Sequence, residues 1–224
     1  MKSLNVSNLK AVVFDWDNTL AQSTPALTHS INQVLEKYNL PPWDVIKSYR
    51  NNNLSFQDNF PLFFGKNAKE AYNLYQQIYL KTALNKIKAT EFSHPLLSFF
   101  KKRNIPICLM TNKDRKLLEF ELPILFDPEI FSHIVCGHEA EANKPNIAHL
   151  LKTLHSILNP QDISPQSVWV IGDSPQDSFC ACNCGAQGIR IGTSLWKEDA
   201  YPPQNCLFFH SFVDFYQSLL LSNS

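Results

Sequence analysis

Three short stretches of the chain are dominated by apolar side chains and then stop abruptly at a polar residue. They are Leu9–Phe14 before Asp15, Ile105–Met110 before Thr111-Asn112, and Ser167–Ile171 before Gly172-Asp173. Runs of this length without polar alternation predict strands buried on both faces, as in a parallel sheet. Weaker runs of the same kind span His133–Cys136, Gly188–Ile191 and Cys206–Phe209. Helical periodicity fills the intervals, at about 94–103, 115–121, 146–158, 175–184 and 211–221. Lys144-Pro145 precedes the third of these, and Pro175 falls in the first turn of the fourth, where a missing amide donor costs little. Strands alternating with helices predict an α/β fold with a mostly parallel sheet.

Residues 22–88 break this rhythm. They are rich in Asn, Gln, Tyr and Phe, with helical periodicity at about 25–38, 42–50 and 68–86 and no convincing strand. A helical insertion after the first strand is the simplest organisation, leaving 1–21 and 89–224 as the α/β core. No internal repeat or heptad run is present.

Composition narrows the class of protein. Of 224 residues, 44% are hydrophobic and 18% charged, which suits a globular domain rather than a disordered chain. Lys plus Arg balance Asp plus Glu at 20 each, and no basic run suggests a nucleic-acid partner. No apolar run approaches the roughly 20 residues that cross a bilayer, and Met1–Lys10 lacks the apolar centre of a secretory signal. The six cysteines are scattered, as expected of reduced thiols in a cytoplasmic protein.

The chemistry gathers where the strands end. In an open α/β sheet, ligands bind beyond the carboxyl ends of the strands. Asp15-Trp16-Asp17, Thr111-Asn112 and Asp173 all fall there. Asp15 and Asp17, one residue apart in extended chain, present both carboxylates to one side. Clustered with Asp173, they repel one another unless a hard divalent cation such as magnesium joins them. The Thr111 hydroxyl, the Asn112 backbone amide and the Lys144 ammonium are suitable donors for the equatorial oxygens of a transferring phosphoryl group. Taken singly, an Asp-x-Asp is an ordinary turn, Thr111 a strand-end cap and Lys144 a surface lysine. Their joint occurrence at three strand ends carries the reading.

Phe14-Asp15-Trp16-Asp17-Asn18-Thr19-Leu20, Thr111-Asn112, Lys144-Pro145 and Gly172-Asp173-Ser174-Pro175-Gln176-Asp177 resemble the four motifs of the haloacid dehalogenase-like hydrolases, in that family's order. The insertion at 22–88 resembles the helical cap of phosphoglycolate phosphatase-like members. The resemblance implies a three-layer, Rossmann-like core with a helical cap and a magnesium-dependent phosphatase acting on a small phosphorylated metabolite. It implies that Asp15 is the nucleophile and a magnesium ligand. Asp17 would be the acid and base, giving the metal its main-chain carbonyl. Thr111 and Lys144 would hold the phosphate, Asp173 would ligate magnesium, and Asp177 would support it directly or through water. Asn18 stands where many relatives have glycine, and Asn tolerates a left-handed backbone better than other side chains.

Other signals read as structural. Cys180, Cys182 and Cys184 suit helix packing, His138-Glu139 an exposed loop, and Arg50 a solvated surface position with a substrate carboxylate as the alternative partner. The aromatic residues of the insertion suit a small helical core. A phosphosugar mutase on the same core and a catalytically silent metabolite-binding protein are the competing functions. The substrate and the oligomeric state are not legible.

Overall fold

The computed structural model describes residues 4–51, 54–192 and 206–223. In chain order the elements are β1 (Ala11–Phe14), β2 (Ala21–Gln22), α1 (Thr24–Lys37), α2 (Trp43–Ile46), α3 (Phe60–Phe64) and α4 (Ala68–Thr82). There follow β3 (Lys88–Ala89), α5 (Ser93–Lys101), β4 (Ile107–Met110), α6 (Arg115–Leu125), β5 (His133–Val135) and α7 (Ile147–Leu154). The chain continues through β6 (Val168–Gly172), α8 (Pro175–Asn183), β7 (Gln187–Ile191), β8 (Leu207–Phe209) and α9 (Phe212–Ser222).

All six strands expected from the apolar runs pair in one parallel sheet, in the order β5-β4-β1-β6-β7-β8. The absence of polar alternation in β1 has a direct cause, since both of its faces are covered. Val12 and Phe14 point into a cluster with Leu96, Phe100, Phe215 and Leu219, from α5 and α9. Ala11 and Val13 point the other way, toward Leu150, Leu154, Cys180 and Ala181, from α7 and α8. The fold is therefore three layers, helix on sheet on helix, as expected. Fully burying an aliphatic or aromatic side chain contributes about 1.5–3 kcal/mol, so these two faces hold the sheet together.

Topology places the chemistry. From β1 the chain moves outward on one side to β4 and β5, then returns to β6 on the other side of β1. The strand order thus reverses at β1, and such a switch point opens a crevice at the carboxyl edge. Asp15, Thr111 and Asp173 are the residues next in sequence after β1, β4 and β6.

Between β2 and β3 the chain forms helices around a second hydrophobic core, built mostly by their own side chains and joined by Leu117 of α6. Phe60 lies at its centre, with ring centroids 5.4 Å from Phe56, 5.1 Å from Phe64, 5.0 Å from Tyr72 and 5.8 Å from Tyr75. Trp43, Phe56, Phe60, Phe63 and Phe64 build its interior, as their composition suggested, whereas Tyr49 is 73% exposed. Four details differ from the periodicity. The predicted helix at 42–50 is the short α2 followed by a 3-10 turn over Lys47–Tyr49, and the one at 68–86 passes into a 3-10 turn at Ala83–Asn85. Helix α3 was not foreseen. Nor was the antiparallel ribbon β2–β3, which ties the ends of the helical segment together through Ala21–Ala89 and Gln22–Lys88.

Replacing Phe60 by Ala removes the ring that four neighbours share, at an expected cost of about 3–5 kcal/mol. Hydrogen exchange should then rise across α1–α4 while β1, β4 and β6 keep their protection. Uniform loss of protection would show that the helical segment lacks the separate core described here.

Candidate active site

The loop after β1 is set by its own backbone. The Asp15 amide donates to the Ile171 carbonyl at 2.9 Å, extending the ladder by one residue and fixing the Asp15 side chain above the sheet edge. Asn18 then takes a left-handed conformation (φ 58°), its amide donating to the Ala21 carbonyl at 2.7 Å. Its side-chain oxygen accepts from the Thr24 hydroxyl at 2.5 Å, which ties the turn to the first helix.

Lys144 is the centre of the site. Its side chain is 3% exposed, and the ammonium donates to Asp15 Oδ1 at 2.6 Å, Asp177 Oδ1 at 2.7 Å and the Met110 carbonyl at 2.9 Å. Three protons meet three acceptors. Burial alone would depress the lysine, but the two carboxylates outweigh it and hold its pKa above the ordinary range. The other oxygen of Asp177 accepts from the amide and hydroxyl of Ser174 at 3.1 and 2.6 Å, completing a capping box at the start of α8. Gly172 makes room for it, since a Cβ there would lie 2.2 Å from the Asp177 carboxylate.

The Lys144 backbone is held as firmly as its side chain. Asn112 accepts the Lys144 amide at 3.0 Å and donates back to the Lys144 carbonyl at 2.9 Å. Asn112 was selected for its backbone amide, and its side chain proves to be the clamp on the lysine loop. His149, fully buried, also accepts the Lys144 amide, through Nδ1 at 3.2 Å, with Nε2 3.4 Å from the Val135 carbonyl. That pattern calls for the neutral ring protonated on Nε2. Thr111, 1% exposed, lies at the end of β4 with its hydroxyl accepting the Lys113 amide at 3.2 Å.

Asp15, Asp173 and Asp177 each bring a carboxylate oxygen into a group spanning no more than 4.8 Å. Burial raises Asp15 to about 7, against the pull of Lys144 and with help from the charges of Asp177 and Asp17. Burial, reinforced by the Asp15 and Asp177 charges, raises Asp173 well above the carboxylate range. Three buried carboxylates around one ammonium are short of positive charge. The donor set is all oxygen, so it fits a hard divalent cation such as magnesium. The Asp17 carboxylate stands outside this group. Its Oδ1 accepts from Lys113 at 2.8 Å, a contact the sequence did not suggest.

A cavity of about 530 Å³ opens over these groups. Its floor includes Asp15, Asp17, Thr111, Lys144 and Asp173, and its roof, from the helical segment, includes Trp43, Arg50, Phe56, Tyr72 and Tyr75. Arg50 was read as a surface arginine. It lines this cavity instead, and burial lowers its pKa to about 10, an effect opposed by the Asp173 charge. His138 does lie on an exposed loop, with Nε2 3.5 Å from Asp58 of the helical segment.

His149 gives the site a pH signature. Burial, aided by the Lys144 charge, lowers its pKa from 6.5 to about 4. Between those values the unfolded chain binds a proton that the folded chain refuses, so this group's contribution falls as the pH falls from about 6.5 to about 4. The stability advantage of wild type over His149→Asn should shrink by roughly 3 kcal/mol between neutral pH and pH 4 in urea titrations. An advantage independent of pH would contradict the neutral buried ring.

Known proteins resemble this chain in sequence and in fold. Phosphoglycolate phosphatase from Chromobacterium violaceum is 26% identical over 198 residues, covering 84% of this chain and 87% of that protein. The crystal structure of a predicted phosphoglycolate phosphatase from Haemophilus somnus superposes with a TM-score of 0.77 at 20% identity, over 95% of this chain and 99% of that one. CbbY from Rhodobacter sphaeroides, crystallised with xylulose-(1,5)bisphosphate, superposes with a TM-score of 0.77 at 14% identity, over 92% and 96% of the two chains. Such structural likeness carries the fold. Residues 12–191 match the family model described as haloacid dehalogenase-like hydrolase, and the chain belongs to that family.

Proposed function

We propose that this hydrolase is a phosphatase for small phosphate monoesters that bear a second anionic group, phosphoglycolate being the leading candidate. The observation that carries the reading is the buried Asp15–Lys144–Asp177 contact at the base of a cavity whose floor also includes Asp17, Thr111 and Asp173. The names of the relatives point the same way.

In this reading an Asp15 oxygen attacks phosphorus, and the bond from phosphorus to the ester oxygen breaks. Asp17 gives its proton to the departing oxygen, which leaves as a neutral alcohol. Water then attacks the phosphorus of the aspartyl-phosphate and passes its proton to Asp17. The bond to Asp15 breaks, and carboxylate and inorganic phosphate are released. Thr111 spends a lone pair on the Lys113 amide, which leaves its hydroxyl hydrogen to donate to a phosphate oxygen. Lys144 supplies the positive charge that keeps Asp15 ionised for attack. Magnesium, held by Asp15 and Asp173 with the Asp17 carbonyl and Asp177 in support, would neutralise the carboxylates and the charge of the phosphate.

Substrate choice falls to the helical segment, which we propose acts as a cap over residues 22–88 and excludes bulk water. Gln176 donates to the Leu54 carbonyl at 3.2 Å and Asn143 to Asp58 at 3.3 Å, so this segment meets the core beside the cavity. Arg50 is the roof's guanidinium and suits bidentate pairing with a carboxylate or second phosphate. No helix among the described residues is long and apolar enough to cross a membrane, and the six cysteines are free. A reducing cytoplasmic setting is in keeping with those thiols.

Two results are expected. Phosphate release from phosphoglycolate should require magnesium, stop on chelation and fall about a thousandfold or more in Asp15→Asn. Release that survives either treatment would refute the reading. Arg50→Met should raise KM for phosphoglycolate by about 10- to 100-fold while altering KM for an uncharged aryl phosphate far less. Equal effects on both would remove Arg50 from substrate recognition.

A further inference from the structure

Around Asp17 lies a second cluster of charge, whose buried members Lys113 and Glu121 the steps above leave unused. Lys113, two residues beyond Thr111, has a side chain only 6% exposed. Its ammonium bonds Asp17 Oδ1 at 2.8 Å, Glu121 Oε1 at 3.1 Å and the Tyr79 hydroxyl at 3.2 Å, again three acceptors for three protons. Glu121, on α6, is fully buried. One of its oxygens also accepts from the Tyr79 hydroxyl, and the other accepts from the Trp16 indole at 2.5 Å.

The arrangement grips one short segment twice. Glu121 holds the Trp16 ring, which lies between the two aspartates in sequence, and through Lys113 it holds the Asp17 carboxylate. Tyr79 brings the helical segment into the same cluster, since it belongs to α4. Burying a carboxylate and an ammonium is expensive, and apolar side chains of similar volume often hold a fold as well. What they cannot do is aim a carboxylate. Asp17 is the member most open to the cavity, at 30% side-chain exposure; Lys113 borders the same cavity but is only 6% exposed, and Glu121 is enclosed.

We propose that Lys113 is the positioning residue for the acid and base Asp17, and that Glu121 and Tyr79 fix Lys113 in place, so that α4 of the helical segment shares in aiming the proton. The proposal rests on Asp17 having that role, as set out above. Held through Oδ1, the carboxylate keeps its orientation toward the ester oxygen as the phosphorus–oxygen bond breaks. A misaimed Asp17 delivers its proton poorly, and the penalty scales with the basicity of the leaving oxygen. An alkyl ester needs the proton, and a dinitrophenyl ester leaves almost without it. A cluster that merely supports the fold would affect both esters alike.

The test compares kcat/KM, which covers the chain of events up to departure of the leaving group, for phosphoglycolate and for dinitrophenyl phosphate. In Lys113→Met the loss on the alkyl ester should exceed the loss on the dinitrophenyl ester by about 10- to 100-fold. Glu121→Gln should show the same bias, and Lys113→Arg should recover part of it. Tyr79→Phe keeps the buried ring, so it supplies the measurement should Lys113→Met fail to fold, with an expected bias of about 3- to 10-fold. Equal losses on the two esters, or no loss on either, overturn the proposal while leaving the phosphatase reading intact. Wild-type protein that releases no phosphate from either ester refutes that earlier reading instead.

Discussion

The site is governed by the cost of placing several carboxylates together out of water. Asp15, Asp173 and Asp177 crowd the carboxyl edge of the sheet, burial works against the ionisation of Asp15 and Asp173, and a single ammonium from Lys144 is bonded to Asp15 and Asp177. An isolated buried charge would cost far more than a marginally stable fold can bear. The pairing therefore favours a charged Asp15 at the end of a buried strand, as the proposed nucleophile must be. Much of the local structure serves it. Asn112 and His149 pin the Lys144 backbone, Ser174 occupies the far oxygen of Asp177, and Gly172 clears the space that Asp177 fills.

Sheet topology supplies the convergence. Because β1 lies between β4 and β6, residues far apart in sequence arrive on neighbouring strand ends, and the loop after β1 faces both. The helical segment leaves the core immediately after that loop and is tied back by β2 and β3, so its roof overlies Asp15. The second lysine, Lys113, repeats the solution used at Lys144. A buried ammonium fixes a carboxylate that the proposed chemistry needs in one orientation.

How much of this the chain disclosed depended on how far each side chain had to reach. The six strands were visible because burial on both faces leaves apolar runs with sharp polar ends, and Asp15, Asp17, Thr111 and Asp173 lie at or beside those ends. Lys144 was found because a proline and a helix start follow it. Asn112 was chosen for its backbone amide and its side-chain role was missed, since sequence does not say that this side chain closes on a loop 32 residues away. Lys113, Glu121 and Tyr79 were missed. Glu121 looks like any exposed helical glutamate until packing brings Trp16 and Tyr79 to it, and the three positions share no spacing. Arg50 was misread for a related reason, because a charged residue after a short helix is solvated unless another part of the chain covers it. The ribbon β2–β3 has two residues per strand, too few for alternation to register.

The central claim is that Asp15 carries the phosphoryl group between substrate and water. It is tested most directly by quenching the enzyme in acid during turnover of phosphoglycolate with magnesium, reducing with borohydride and mapping the peptides. An aspartyl-phosphate is reduced to homoserine, so homoserine at position 15, dependent on substrate, is the predicted result. An unmodified Asp15 under conditions that accumulate the intermediate, or homoserine appearing at Asp17 or Asp173 instead, would contradict it.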